Sequence, residues 1–204
     1  MRAHPLWLAA ILACAMSLAS GAGHAQGTPA PAPKPEAKPE EAPRRPSTLD
    51  DLYARLAAAK DEDEAKGVAG LIERRLERSG SDTADLLLAR AGEALKGKDA
   101  ALAVELLDRV TQLRPAWSEA WMRRAAAFWQ LDDPQRALMD LQEALVREPR
   151  HFTAWMILGH LEMASGDKTR ALLAYRRALK LHPFLGDAEK AVKRLAPDVD
   201  GRDL

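Results

Sequence analysis

Histidine, cysteine and paired carboxylates are the residues through which this chain could act on a substrate, and their spacing does not assemble a reaction. Past residue 25 the histidines are His151, His160 and His182, and none has a Cys, Asp or Glu partner at metal-ligand spacing. There is no HExxH pair, no Gly-rich phosphate loop and no Gly-x-Ser-x-Gly turn. The adjacent carboxylates Asp132 and Asp133 fall in a turn, where helix capping accounts for them. The single cysteine, Cys14, cannot form a disulfide within the chain. A catalytic site needs a nucleophile or an acid/base pair converging in a pocket, and none can be assembled. The expectation is a chain that is not an enzyme, with no catalytic, cofactor-binding or metal-binding residues.

Composition narrows the alternatives. The 204 residues hold 30 Lys+Arg and 30 Asp+Glu, a balance that disfavours a nucleic-acid binder. The apolar fraction of 47%, rich in Ala and with only 5% aromatic residues, suits close-packed helices. These averages mix unlike segments. Residues 1–25 read as a secretory signal: Arg2 and His4 precede an uncharged apolar run from Leu6 to Leu18, and small residues lead to Gly23-His24-Ala25. The run is too short to span a bilayer, so cleavage is expected after Ala25, with Ala22 as an alternative end and an uncleaved anchor as the alternative fate. Arg outnumbers Lys 20 to 10 and Ala is abundant, as in high-GC genomes, so the mature chain is expected in the periplasm of a bacterium. Residues 26–47 carry seven of the thirteen prolines and no apolar side chain larger than Ala. Such a segment cannot bury enough surface to offset its ordering entropy and is expected to be a disordered linker.

The remaining chain is organised by a repeat. Pro115, Pro149 and Pro183 stand 34 residues apart, as do Ala103, Ala137 and Ala171, and Asp99, Asp133 and Asp167. Leu107, Leu141 and Tyr175 share another column, Val110, Ala144 and Ala178 a fifth, and Leu87, Trp121 and Trp155 a sixth. A period of 34 with apolar residues at helical spacing is the signature of a helix–turn–helix array. Within a unit, Gly166 ends a first helix, Asp167 caps the second, and Pro183 stops it. Residues 48–83 form a helical pair with Leu49, Leu52, Tyr53 and Leu56, then Val68, Leu71, Ile72 and Leu76, at helical spacing. Thr48 and Asp51 suggest a capping box at its start. This pair lacks the Asp and Pro columns and reads as a degenerate unit. Ala188, Ala191, Val192 and Leu195 make the stripe of a C-terminal capping helix within 186–204.

The three units 84–117, 118–151 and 152–185 resemble tetratricopeptide repeats (TPR). The likeness is fullest in the last, through Trp155, Leu158, Gly159, Ala171, Tyr175, Ala178 and Pro183. It implies an all-α solenoid of helix–turn–helix units wound as a right-handed superhelix, and a non-enzymatic protein–protein adaptor. Arg90 and Arg124 depart from it by standing where the family packs a Leu, and Glu162 replaces an aromatic residue. Those sites are expected either to pack more loosely or to lay their long stems across the apolar surface.

The resemblance also implies that ligands lie on the concave face lined by each unit's first helix. There it points to Leu88, Met122, Ala126, Trp129, Met156, His160 and Met163 as partner-binding residues. The Lys, Arg and Asn with which chaperone-binding members clamp a peptide carboxylate are mostly absent from these positions. The methionines and Trp129 instead offer a soft apolar strip for a peptide or amphipathic helix. The alternative class is a homo-oligomeric structural module. Charge adds a weak polarity: residues 49–83 hold six bases and nine acids, residues 152–204 nine bases and seven acids.

Overall fold

The computed structural model describes residues 48–201. The signal and linker expected over 1–47 lie outside the described residues. All regular structure among the described residues is helical, and the helices alternate in pairs. They are α1 Leu49–Ala57, α2 Glu62–Leu76, α3 Asp82–Lys96, α4 Ala100–Leu113, α5 Ser118–Gln130, α6 Pro134–Arg147, α7 Phe152–Ala164, α8 Lys168–Leu181 and α9 Gly186–Asp200. None of them is long and apolar enough to cross a membrane.

The 34-residue columns have identifiable physical jobs. Asp99, Asp133 and Asp167 each accept a backbone N–H three residues on, from Leu102, Arg136 and Arg170 at 3.1, 3.0 and 2.8 Å. Each satisfies an orphan donor of a second helix, which stabilises it by about 1 kcal/mol. The turn before each cap places one residue in the left-handed region: Lys98 (φ 61°), Asp132 (φ 58°) and Gly166 (φ 82°). Only the last is a glycine. Trp121 and Trp155 each donate an indole N–H to the carbonyl of Pro115 and Pro149, at 2.9 Å in both cases. The Trp and Pro columns thus recur together because the first helix of one unit is tied to the turn that ends the unit before it.

Between units, small residues let the helices approach. Ala120 and Ala154, and Ala127 and Leu161, hold equivalent positions on α5 and α7 and are all buried against the preceding unit. Ala188 and Leu195 of α9 occupy the same two positions and are buried too. The C-terminal helix therefore continues the register as one more first helix. It packs on α7 and α8 with Leu172, Tyr175 and Met163, and covers the face that the last repeat would otherwise expose.

Helices α1 and α2 form a pair opened by the Thr48–Asp51 capping box, and the expected 48–83 segment runs past it into the first residues of α3. Where the pair docks was not legible. It does not stack on α3 and α4 in the way that α3–α4 stacks on α5–α6. Leu52, Tyr53, Leu56, Val68, Ile72 and Leu76 join a cluster with Phe152, Leu181, Phe184 and Leu185. These partners sit where second helices turn into the N-terminal ends of α7 and α9. The pair is a strap along that edge. Ser79-Gly80-Ser81 makes the reversal: Gly80 is left-handed (φ 75°) and Ser79 donates its N–H and hydroxyl to Asp85.

Candidate binding face

The expected partner-binding residues divide once placed. Leu88 and Met122 are only 8% and 5% exposed. Leu88 packs with Ala91, Leu107 and Ala127, and Met122 with Phe128, Leu141 and Leu161. Their position on the first helix meets the neighbouring first helix, so they hold units together; Met122 is closed to a ligand, and Leu88 shows only a narrow edge to the cleft described below. Met156 and Met163 are half-buried against α9. Ala126 is half-buried, His160 is exposed with its ring edge-on to Tyr175 at 5.5 Å, and Trp129 is 42% exposed. The apolar strip expected along the whole groove is thus reduced to its far side, at the C-terminal halves of α3, α5 and α7.

There a register row survives: Leu95, Trp129 and Met163, each 34 residues from the next and each with accessible surface. Trp129 differs from the other described tryptophans. Trp117, Trp121 and Trp155 all donate their indole N–H to backbone carbonyls, and Trp129 makes no such bond among the described residues. A concave cleft of about 580 Å³ adjoins the row, lined by Leu88, Gly92, Leu95, Lys96, Arg123 and Gln130 among others.

The opposite side of the concave face is polar and tied shut. Glu119, near the start of α5, is buried and bonds Arg123 Nε at 2.5 Å and His151 Nε2 at 3.1 Å. Burial alone pushes the Glu119 carboxyl up, but the His151 hydrogen bond and the Arg123 charge outweigh it and hold it below its usual range. His151 accepts the Ala154 N–H on Nδ1 at 3.4 Å, capping α7. That bond assigns the proton to Nε2, which donates to Glu119. Arg123 reaches on to Glu77 at the end of α2 at 2.8 Å, and Trp117 donates to the Leu76 carbonyl at 2.6 Å. Glu73 is pushed up by burial and by Glu119 and Glu77 close by. Arg150 pairs with Asp50 at 2.6 Å and lies 4.4 Å over the Tyr53 ring. These bonds fasten the strap to the edge of the stack.

Sequence reasoning missed the Glu119–His151 pair because its members stand 32 residues apart, and only the superposition of units brings them together. Among the described residues no group of three His, Cys, Asp or Glu is placed to hold a metal ion. Arg124 also differs from expectation. It does not snorkel; it forms a two-pronged pair with Asp140 at 2.7 and 2.8 Å and bonds Asp108 at 2.8 Å and Thr111 at 3.1 Å. Its guanidinium also lies over the Trp121 and Phe128 rings at 4.8 and 5.8 Å. Glu162, in the column of the usual aromatic, is buried with Arg170 3.6 Å away.

Known proteins resemble both the sequence and this geometry. A family profile described as tetratricopeptide repeat matches residues 122–186. A TPR repeat-containing protein of Rhizobium etli is 31% identical over 153 residues, covering 75% of this chain and 75% of the relative. Human Superkiller complex protein 3 is 33% identical over 88 residues, which is 42% of this chain but only 6% of that protein. Among solved structures, the first TPR of Spaghetti (RPAP3), bound to the HSP90 peptide SRMEEVD, superposes with a TM-score of 0.56 at 19% identity. The match covers 59% of this chain and 95% of that one.

Proposed function

The chain belongs to the tetratricopeptide repeat family, and on that premise we propose that it is an adaptor that captures a protein partner through an apolar peptide segment. The segment lies along the C-terminal halves of α3, α5 and α7. The observation that carries this reading is the row Leu95, Trp129 and Met163, with a large accessible aromatic at its centre whose N–H has no protein acceptor among the described residues. Aromatic side chains of this kind anchor interfaces because they combine apolar area with one hydrogen bond.

The peptide class follows from charge. The solved Spaghetti domain holds the acidic peptide SRMEEVD. Here the cations beside the cleft are already matched: Arg123 by Glu119 and Glu77, Lys96 by Glu93 at 2.8 Å. A second acidic ligand would have to compete with those carboxylates, whereas an apolar segment would not. The setting proposed is the bacterial envelope, reached by cleavage of residues 1–25 after Ala25.

The test is a photo-crosslinking amino acid at position 129 compared with one at Leu173, an exposed position on α8. Position 129 is expected to yield a discrete adduct with a partner protein and position 173 none, and Trp129→Ala is expected to abolish capture without loss of helical content. Equal labelling from both positions would exclude this face. Substitution of Met122 by Glu cannot serve as the test, because that side chain is core and the stack itself would fail.

A further inference from the structure

We infer that the N-terminal face of the first repeat, α3 with α4, is a homodimer interface in which α3 packs antiparallel on α3 of a second copy. The repeat register shows why this face needs a partner. The position that holds Ala120, Ala154 and Ala188, all buried against a preceding unit, holds Leu86 in α3, and Leu86 is 54% exposed. Leu102 on α4 is 44% exposed. Between the two helices is an open hollow of about 530 Å³ lined by Ala89, Arg90, Glu93, Ala94, Leu102 and Leu106. The end of a solenoid is normally polar or covered, as α9 covers the other end. Among the described residues, the segment that precedes this end in sequence, α1–α2, is held along the edge of α7 to α9 instead.

The occupant is specified by charge and symmetry. Arg90 and Glu93 are both exposed beside the hollow, three residues apart on one helix. Arg90 makes no ion pair among the described residues; Glu93 makes only its pair with exposed Lys96. A two-fold axis crossing α3 between these positions sets each Arg90 against the other copy's Glu93, twice. It also brings Ala89 opposite Ala94, where two small residues let the helices close. Isologous contacts pair residue i with j and j with i in this manner, so one surface supplies both halves. An unrelated partner would need a matched acid and base of its own, and nothing on this face calls for one.

The experiment is sedimentation equilibrium of the full-length chain from about 1 to 100 µM, a range that resolves micromolar dimers, with circular dichroism to confirm unchanged helical content. The wild type is expected to be dimeric, and Leu86→Glu with Leu102→Glu monomeric. Arg90→Glu and Glu93→Arg are each expected to weaken the dimer by about 10-fold or more, since like charges then face each other. The double exchange Arg90→Glu/Glu93→Arg is expected to restore it. A wild type that stays monomeric at the highest concentration overturns the inference. So does a dimer indifferent to the single reversals, or a double exchange that fails to rescue. Ala89 and Glu93 line both the concave cleft and this hollow, but Trp129 lines neither, so crosslinking at Trp129 and the sedimentation result can fail separately.

Discussion

The interface between the first and second repeats and the interface between the second and third occupy the same register and solve the same problem with opposite chemistry. At the first, Arg124 of α5 is wedged between Asp140, Asp108 and Thr111. At the second, the equivalent residue of α7 is Leu158, and the equivalent of Asp140 is the buried Ala174. A third member of the column, Arg90, has no unit stacked before it among the described residues and is exposed in the single chain. One sequence position is therefore an ion-pair hub, an apolar contact or a surface charge, according to what the stack places opposite it. A repeat column conserves geometry, and chemistry is chosen pair by pair.

The largest expected effect comes from breaking the polar version by halves. Arg124→Leu leaves the Asp140 carboxylate buried and unpaired, and should destabilise by about 3 kcal/mol. Replacing both members to copy the next interface, Arg124→Leu with Asp140→Ala, should bring stability back to within about 1 kcal/mol of wild type. Urea denaturation of the four proteins of that cycle measures the coupling. If the double variant is as unstable as the single one, the two interfaces are not interchangeable.

A second difference separates the units internally. Ala91 and Ala125 accompany Leu107 and Leu141 inside the first two repeats, whereas Gly159 accompanies Tyr175 in the third. A Cβ built on Gly159 would come within 2.6 Å of the Tyr175 ring. Gly159→Ala should therefore cost about 1–3 kcal/mol through overpacking, despite the better helix propensity of Ala. Adding Tyr175→Leu, which reproduces the second repeat's pairing, should cost clearly less than the sum of the two single changes, read as a shift in the thermal midpoint.

The smallest effect concerns the turn between helices. Lys98 and Asp132 adopt the left-handed conformation that Gly166 adopts in the third repeat. Lys98→Gly removes a steric cost of about 1–2 kcal/mol, partly offset by the greater freedom of glycine in the unfolded chain. The net gain should be about 0.5 kcal/mol, detectable as a small rise in the denaturation midpoint. A loss would mean that the Lys98 side chain contributes more than its backbone strain removes.

Much of the fold was legible because its causes are local and recur. Asp99, Asp133 and Asp167 cap by contacts three residues long, and Gly166 and Pro183 mark helix ends by their own backbone chemistry. The functional face was read less well. The resemblance placed Met122 and Leu88 among ligand-facing positions, but whether such a side chain meets a peptide or the adjacent helix depends on inter-unit spacing. The buried residues at the facing position of the following helices, Ala127 and the larger Leu161, set that spacing. Glu119 and His151 gave no signal at all, since neither is unusual until the stack buries both. Trp129 and His160 were expected in the groove and are exposed, and Met163 keeps part of its surface accessible.

The sequence by itself determined the helices, their 34-residue pairing and the family, because capping, backbone restriction and apolar periodicity act within a few residues. Only the tertiary structure decided where α1–α2 docks and hence which surfaces are left open. The apolar stripe of Leu52, Leu56, Val68 and Ile72 would satisfy its burial against either the end of the stack or its edge. Hydrophobic burial is non-directional, and the choice was made by contacts distant in sequence: Glu77 to Arg123, Asp50 to Arg150, and the Leu76 carbonyl to Trp117.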